Sequence, residues 1–400
     1  MRPAITQLTL KRFRSIPSER ISFDNPTIFV GRNGSGKSIV VSAFSFLAET
    51  MSAPLQAVFD RAGGISVVRN RTSGRSYPPN LGIRVDFGRI TKDVDSAWYA
   101  FEVRALPDYG FAVLREQGGV TDPDGGLWWF NRAGSKRLMS NVPGITPILD
   151  PASLALPLIG GQEKFAPILR TLAAMRVYSI EPSKVREMQE PDSGSALRTD
   201  GANVTSVLRE IERHSKEDFD RISHILTTIV PNTKRVRVKK HGKSLSLEFT
   251  QEWGDKKKLN FEGFSMSDGT LRAIGLLAAI FQHPSPSLIA IEEPEATIHP
   301  GALDAILDLL RRASRQMQVV ITTHSPELLD AKWIADEHLR IVNWVDGATR
   351  VSELADMTKL ALRRHLMGAG ELLRSNALEG APLFADHANL PGTGLFEQLS

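Results

Sequence analysis

A glycine-rich stretch near the N-terminus has the residue types that bind phosphate. Gly31-Arg-Asn-Gly-Ser-Gly-Lys-Ser38 fits the spacing G-x-x-x-x-G-K-S/T, with an apolar run, Thr27–Val30, before it and a helical pattern after it. Glycines let the backbone curl so that its N–H groups and a helix N-terminus face phosphate oxygens. Chance matches occur in roughly one chain of this length per hundred. We therefore predict a nucleotide site formed by Asn33, Gly34, Ser35, Gly36, Lys37 and Ser38.

Within this phosphate loop, defined as Gly31–Ser38, two side chains have distinct chemistry. The Lys37 ammonium can bridge the β- and γ-phosphates of a nucleotide, and the Ser38 hydroxyl can ligate Mg²⁺. The sequence thus predicts a bound nucleotide with its metal ion.

Two adjacent carboxylates follow a second apolar run. Leu288–Ile291 leads directly into Glu292 and Glu293. The carboxyl end of a buried parallel strand is where ligands bind in open α/β sheets. Glu292 can hold Mg²⁺ and Glu293 can polarise an attacking water, and hydrolysis of a terminal phosphate needs both tasks. The alternative is a solvated acidic helix cap, which the buried strand and the phosphate loop disfavour.

A histidine ends the next apolar run, Gln318–Thr323. His324 can hydrogen-bond a γ-phosphate or the catalytic water, although a lone histidine at such a place is more often structural. Because it follows a strand that neighbours the acidic one, we predict a catalytic role. Lys37, Glu293 and His324 form the predicted catalytic set.

An α/β scaffold would position these residues. From residue 270 the pattern alternates between helix and strand, which predicts a parallel sheet with helices on its faces. The predicted elements are Thr270–Gln282, Ser287–Ile291, Pro300–Arg312 and Gln318–Thr323. Upstream, short apolar runs such as Leu81–Phe87 and Trp98–Val103 predict a β-rich lobe. The segment Val204–His214 has the pattern of an amphipathic helix, and the polar composition of Glu187–Gly201 predicts a surface loop. Residues 234–250 alternate around His241-Gly242, which predicts a β-hairpin.

This organisation divides the chain into four predicted parts. They are an N-terminal lobe with the phosphate loop (1–162), a helical and β-hairpin arm insertion (163–260), a C-terminal lobe (261–345) and a helical tail (346–400).

Composition limits the function classes. The 400 residues include no cysteine, which excludes disulfides, thiolate zinc sites and a cysteine nucleophile, and fits a cytoplasmic protein. No apolar run approaches the roughly 20 residues of a membrane span, so we expect no membrane partner.

The motifs together resemble a known family. The phosphate loop, Ser267-Asp268-Gly269, Glu292-Glu293 and His324 have the order and spacing of the ATP-binding-cassette (ABC) ATPase head. The branch with structural-maintenance-of-chromosomes (SMC), RecF and OLD proteins has a similar opening to Phe13-Arg-Ser. Within that branch, the bacterial AAA-domain ATPases resemble this chain at Phe264–Arg272 and Ile291–Pro300. The resemblance implies an α/β P-loop NTPase with an ABC/SMC-like head, ATP and Mg²⁺ as cofactors, and a homodimer on ATP binding.

The resemblance also implies residue roles. Met266–Thr270 matches the signature motif, which in this family reaches across a head-to-tail dimer to the partner's γ-phosphate, so Ser267 and Gly269 are expected to contact nucleotide. Glu292 matches the Mg²⁺ ligand, Glu293 the catalytic glutamate and His324 the switch histidine.

Some positions depart from the family pattern or stay open. Asp268 adds a negative charge near phosphate, and Glu292 is longer than the usual aspartate. Glu295 and His299 are expected near the dimer seam. The Q-loop glutamine and the adenine contacts stay open, with Gln56 and Gln162 as candidates for the first and Arg14 and Ser15 for the second.

A basic segment suggests a further partner. Residues 234–258 contain nine basic and three acidic side chains, an excess larger than the net charge of +4 of the whole chain. Such a cluster can neutralise DNA or RNA phosphates. A solvated strand face or a charged edge strand is the other interpretation.

The leading hypothesis is an ATP-driven dimerisation switch, read by a protein effector or by DNA, which the resemblance connects with DNA repair or phage defence. A non-catalytic nucleotide-binding scaffold is the main alternative. A transporter ATPase subunit is disfavoured by Phe13-Arg-Ser and the S-D-G signature. An OLD-type nuclease is disfavoured because Asp93/Asp95 and Asp122/Asp124 resemble loop residues more than metal ligands.

Overall fold

The computed structural model describes residues 4–70, 80–108, 110–134, 137–230, 232–254, 257–382 and 394–398. Contacts divide them into two units. The terminal unit holds the described residues of 2–175, 336–364 and 378–400, and the central unit those of 176–335 and 365–377. The four-part division by sequence position stays a prediction.

An antiparallel sheet of seven strands dominates the terminal unit. Its strands are β1 (Ile5–Phe13), β2 (Ile16–Ser22), β4 (Asn80–Phe87), β5 (Ser96–Ala105), β6 (Phe111–Thr121), β7 (Leu127–Ala133) and β8 (Met139–Ser140), in the order β2-β1-β4-β5-β6-β7-β8. Alternate residues of β4, namely Leu81, Ile83, Val85 and Phe87, are buried, which is the period of a strand with one face in the core. The predicted β-rich lobe is confirmed.

Strand β2 was not predicted. It pairs with β1 through a turn in which only Arg14 and Ser15 are unpaired, and Arg14 has φ of 50°. Glycine or asparagine usually occupies such a position in a two-residue hairpin. The turn therefore has no compositional signal.

Three further strands of the terminal unit flank the phosphate loop. β3 (Thr27–Val30) pairs in parallel with β15 (Leu339–Val345), which pairs antiparallel with β16 (Ala348–Ser352). The helices of this unit are α1 (Lys37–Ser52), α2 (Leu55–Arg61), α3 (Ile65–Val68), α4 (Leu156–Ile159), α5 (Ala166–Ala173) and α12 (Asp356–Arg363).

The central unit contains the parallel strands that were predicted. β13 (Leu288–Glu292) pairs in parallel with β14 (Gln318–Thr323), and α9 (Asp268–Phe281) and α10 (Pro300–Ala313) alternate with them. All but the last residue of β13 and all of β14 are buried, as expected of strands covered on both faces. The other elements are β9 (Met175–Tyr178), α6 (Pro182–Arg186), α7 (Val204–His214), α8 (Lys216–Ile229), α11 (Pro326–Leu329) and α13 (Ala369–Arg374).

A separate sheet of three strands, the arm sheet, completes the central unit. It consists of β10 (Thr233–His241), β11 (Ser244–Trp253) and β12 (Lys257–Glu262), all antiparallel. The predicted hairpin is confirmed and β12 extends it. Val236, Leu247 and Phe249 are buried, and α8 packs against β10.

The segment predicted as a surface loop, Glu187–Gly201, is partly buried. The Gln189 amide oxygen accepts hydrogen bonds from the backbone N–H (3.0 Å) and the hydroxyl (2.8 Å) of Thr205. The backbone N–H of Leu197 donates to Gln282 at 3.0 Å. Because Gln282 satisfies a backbone N–H group of the segment and Thr205 satisfies its Gln189 side chain, the segment can be partly buried despite its polar composition.

A buried carboxyl connects β2 to β16 in the terminal unit. Glu19 is 3% exposed and accepts hydrogen bonds from Arg350 at 3.2 Å and from the backbone N–H of Val351 at 3.3 Å. Burial raises the pKa of Glu19 to about 7, which these two hydrogen bonds only partly oppose. The folded protein therefore binds a proton at Glu19 more tightly than the unfolded chain does.

We predict that this carboxyl makes stability fall as pH rises through the window between about 4.5 and 7. Relative to Glu19→Gln, the wild-type protein should lose about 2 kcal/mol of unfolding free energy between pH 5 and pH 8. Urea denaturation of both proteins at the two pH values measures the difference. An identical pH dependence in the two proteins would contradict the assignment.

Candidate functional site

The phosphate loop has the backbone conformation that its glycines predict. It joins β3 to α1, which begins at Lys37. Gly34 and Gly36 have φ of 79° and 100°, a region that glycine adopts without strain. The Lys37 ammonium is buried and donates to the carbonyl oxygens of Gly31 (2.8 Å) and Arg32 (3.1 Å). The Lys37 side chain thus lies against the first residues of the phosphate loop.

Strands β15 and β16 enclose the phosphate loop within the terminal unit. A Cβ added to Gly31 would lie 2.3 Å from the Val342 carbonyl oxygen, and one added to Gly36 would lie 2.1 Å from the Thr349 hydroxyl. Thr349 is fully buried, and its hydroxyl lies 2.7 Å from that of Ser15. Sequence reasoning missed Thr349, because only folding places residues so distant in sequence beside each other.

These features fit a bound phosphate. The loop offers a close-packed backbone, the buried Lys37 ammonium and a buried Ser35 hydroxyl that has no hydrogen-bond partner in the part of the chain that the structure describes. A buried hydroxyl without a partner is costly, and a ligand oxygen would satisfy it.

The Ser38 hydroxyl in the terminal unit and the Glu292 carboxylate in the central unit are each an oxygen donor of the kind that a hard cation such as Mg²⁺ prefers. Over the described ranges no cluster of three or more histidine or acidic residues could hold a metal ion by itself. Mg²⁺ commonly has few protein ligands and completes its shell with phosphate and water, so it does not require such a cluster.

Glu293 and His324 meet in the central unit. Glu293 follows β13 and His324 follows β14, and the Glu293 carboxylate lies 2.9 Å from Nδ1 of His324. Both side chains are partly exposed, so a water can reach them. Glu293 has φ of 44°, which is unusual for a residue with a side chain. A carboxylate that is hydrogen-bonded to an imidazole can accept a proton from water.

The signature residues lie at the start of α9. The Ser267 hydroxyl caps the helix and accepts the backbone N–H of Thr270 at 3.3 Å. A Cβ on Gly269 would lie 2.6 Å from the Thr297 carbonyl oxygen, so the helix start packs closely on the segment after Glu293. Exposed backbone N–H groups at a helix start favour anions.

The extra negative charge of Asp268 is compensated. Arg186, in α6, donates to the Asp268 carboxylate at 2.5 Å and to the Met266 carbonyl oxygen at 3.2 Å. Sequence reasoning missed Arg186, which is 82 residues away from Asp268 in the chain. The signature therefore presents less net negative charge than its residues suggest.

Two more side chains contact the segment around Glu293: Arg272, to which the sequence assigned no role, and Glu295, which was expected near the dimer seam. Arg272 donates to the Glu293 carbonyl oxygen at 3.0 Å, and Glu295 accepts a hydrogen bond from Thr323 at 2.5 Å. Burial raises the pKa of Glu295 and lowers that of Arg272. The signal for Arg272 was its position on the helix that begins with the signature motif, five residues after Ser267.

The basic segment is partly neutralised. Glu248 and Glu262 are opposite each other in the arm sheet, and Lys239 contacts both, at 3.1 and 2.8 Å, while Arg237 also pairs with Glu248. The hydrogen bond from Lys239 lowers the pKa of Glu262. Exposed basic residues of the segment include Lys234, Arg235, Lys240 and Lys243. Asp255 and Lys256 lie outside the described residues.

The acidic pair Asp122/Asp124 belongs to the turn between β6 and β7. Asp122 accepts the backbone N–H of Gly126 at 2.7 Å and the indole N–H of Trp128 at 3.1 Å. These hydrogen bonds agree with the interpretation of Asp122 as a loop residue.

The model of one protein family, described as "AAA domain, putative AbiEii toxin, Type IV TA system", matches residues 27–123 and 158–330. The chain belongs to this family. The matched ranges contain the phosphate loop, the signature, the two strand-end glutamates and His324. No curated protein matches the sequence.

Solved structures of SMC heads share the fold. A head bound to the C-winged helix domain of ScpA has a TM-score of 0.55 at 17% identity, over 87% of this chain and 97% of the other. A head with an extended coiled coil from Pyrococcus furiosus, bound to the C-terminal domain of ScpA, has a TM-score of 0.54 at 15% identity, over 91% and 99%. The predicted α/β P-loop fold with an SMC-like head is confirmed.

Across the described ranges, no helix is both long enough and apolar enough to cross a membrane. The cytoplasmic location stays a prediction.

We predict that alanine is tolerated at Gly34 but not at Gly36. Both positions have positive φ, which costs roughly 1–2 kcal/mol for alanine. A Cβ at Gly34 meets nothing within 4 Å, whereas one at Gly36 would collide with buried Thr349. Urea denaturation should show a loss of about 1 kcal/mol for Gly34→Ala and about 3 kcal/mol or more for Gly36→Ala. Adding Thr349→Ala should recover part of the stability lost in Gly36→Ala. Equal losses at the two glycines would contradict the close packing of Thr349 against Gly36.

Proposed function

We propose that this protein binds ATP with Mg²⁺ and hydrolyses the terminal phosphate. The observation that carries the proposal is the hydrogen bond between Glu293 and His324 at the ends of two adjacent parallel strands. A carboxylate so placed is suited to orient water and to accept its proton. Support comes from the buried Lys37 of the phosphate loop and from membership of an AAA-domain family.

Each residue then has a task. Lys37 exchanges the carbonyl oxygens of Gly31 and Arg32 for phosphate oxygens, and the loop N–H groups neutralise phosphate charge. Ser38 and Glu292 would hold Mg²⁺, which supplies charge neutralisation at the phosphates. Glu293 takes the proton of the attacking water, while His324 fixes the orientation of the carboxylate.

We further propose that ATP binding pairs two copies of the chain. Ser267 and Gly269 would contact the γ-phosphate held by the other copy, because a capped helix start provides N–H donors for an anion. Hydrolysis would then release the pair. The SMC heads that share the fold are bound to ScpA domains, which supports a protein effector as the reader of the nucleotide state. Phage defence or DNA repair is the setting that we propose.

Two variants separate binding from hydrolysis. Lys37→Ala should lose ATP binding, whereas Glu293→Gln should bind ATP, hydrolyse it at least about 100-fold more slowly and accumulate as a dimer. Titration with a fluorescent nucleotide measures ATP binding, phosphate release measures hydrolysis, and light scattering measures the dimer. The exposed residues Lys92 and Glu217 provide matched controls as Lys92→Ala and Glu217→Gln.

The outcomes distinguish the hypotheses. A fully active, monomeric Glu293→Gln protein would overturn the catalytic assignment. A wild-type protein that binds ATP without turnover would favour the nucleotide-binding scaffold.

DNA is the second ligand that we propose, bound through exposed basic residues of the arm sheet. We expect the triple variant Arg235→Glu, Lys240→Glu and Lys243→Glu to bind double-stranded DNA more weakly. The slope of the logarithm of its binding constant against the logarithm of the salt concentration should become shallower by about two to three. Arg237 and Lys239 are left intact because they neutralise Glu248.

The matched control reverses exposed charges away from the arm sheet, at Arg311, Arg315 and Lys332. Fluorescence anisotropy over a salt series provides the measurement. Unchanged binding by the arm variant would exclude the arm sheet and leave the protein effector as the partner to identify.

A further inference from the structure

Arg272 extends from the signature helix to the residue proposed as the catalytic base. It lies on α9, five residues after Ser267, and its guanidinium donates to the Glu293 carbonyl oxygen at 3.0 Å. The backbone N–H of Glu293 donates in turn to the Thr322 carbonyl oxygen at 3.0 Å. Both backbone polar groups of Glu293 are therefore held, one by the signature helix and one by β14.

This restraint acts on a residue in an unfavourable conformation. Glu293 has φ of 44°, where a residue with a side chain is strained, and surrounding contacts must maintain it. The direction of its carboxylate depends on this backbone, and so does the 2.9 Å hydrogen bond to His324. If the Arg272 hydrogen bond were lost, the backbone could relax and the carboxylate would turn.

The local environment argues against a purely stabilising role for Arg272. The guanidinium is half-buried, and its Nε is a buried donor with no hydrogen-bond partner among the described residues. Glu295, Glu293 and Asp268 are the carboxylates that favour its charge, but no salt bridge to them forms in the described residues. An arginine in such a place is costly to stability.

The other side of the catalytic pair is fixed through Glu295. Thr323 donates to the Glu295 carboxylate at 2.5 Å and accepts the backbone N–H of Ser325 at 2.9 Å. These residues flank His324. The segment 293–295 is therefore connected to β14 through Thr322 and Thr323, and to α9 through Arg272.

We propose that Arg272 is a positioning residue that couples the signature motif to the catalytic base of the same chain. When Ser267 and Gly269 engage the phosphate held by the second copy, a shift of the start of α9 moves Arg272 and, with it, the Glu293 backbone. Close packing of Gly269 on Thr297 transmits the same shift. Each copy would therefore reach full hydrolytic rate only when its signature is occupied. This inference depends on the proposed hydrolysis.

The first test is the kinetic effect of Arg272→Met, with Arg272→Lys as the conservative variant. We expect Arg272→Met to lower kcat by about 10-fold or more while the Kd for ATP changes less than about twofold, because Arg272 contacts the base rather than the nucleotide loop. Lysine keeps a donor within reach of the Glu293 carbonyl and should recover part of the rate. The exposed Arg312 of α10 provides the control Arg312→Met, for which we expect no change.

The second test is a double-mutant cycle on kcat with Ser267→Ala. If Arg272 transmits signature occupancy, the double variant should be about as slow as the slower single variant. If Arg272 only stabilises the fold, the two losses multiply, and thermal melting should show a parallel loss of stability.

The failures can be told apart. A wild-type protein without ATP turnover overturns the proposed function itself. Two results overturn only the inference about Arg272, provided that the wild-type protein hydrolyses ATP. One is an unchanged kcat for Arg272→Met and Arg272→Lys, and the other is a double-mutant cycle in which the kcat losses of Arg272→Met and Ser267→Ala multiply.

Discussion

The parallel pairing of β13 with β14 is the constraint on which the catalytic geometry depends. Their register sets Glu292 opposite Thr322, so the residues after each strand leave the sheet at the same edge. Strand pairing alone does not bring a carboxylate to an imidazole. Glu293 does so by turning sharply at a positive φ, a conformation that Thr322 and Arg272 maintain through hydrogen bonds to its backbone. The chemistry thus depends on a strained residue supported from two elements.

Charge balance is a second principle of the site. The ATP hydrolysis that we propose would gather anions, namely carboxylates and phosphates, at one site, and each buried charge needs a partner. In the central unit Arg186 pairs with Asp268, and Arg272 lies among three carboxylates. The arm sheet follows the same rule, since Lys239 lies between Glu248 and Glu262, which would otherwise repel each other. A count of basic residues therefore overestimates the charge that the arm can offer to DNA.

The sequence predicted the features that are local. A phosphate loop, a strand ending in glutamates and a strand ending in histidine each occupy a few consecutive residues, and periodicity located β13, β14, α9 and α10 closely. Contacts between distant residues have no such signal. Thr349 beside Gly36, Arg186 beside Asp268 and the hydrogen bond from Arg272 to Glu293 follow only from the folded chain. Strand β2 was missed because its turn uses arginine and serine in place of glycine or asparagine.

The phosphate loop shows why both ends of the sequence are needed in one unit. Its strand, β3, pairs with β15, and Thr349 of β16 closes the space beside Gly36 while it contacts Ser15 of the N-terminal hairpin. A loop that binds phosphate through its backbone must keep its curvature, and here residues from both ends of the chain enforce it. The arm sheet belongs to the central unit and shares no strand pairing with β3, β15 or β16 in the described residues. Substitutions at Ser15 and Thr349 would therefore act directly on the shape of the phosphate loop.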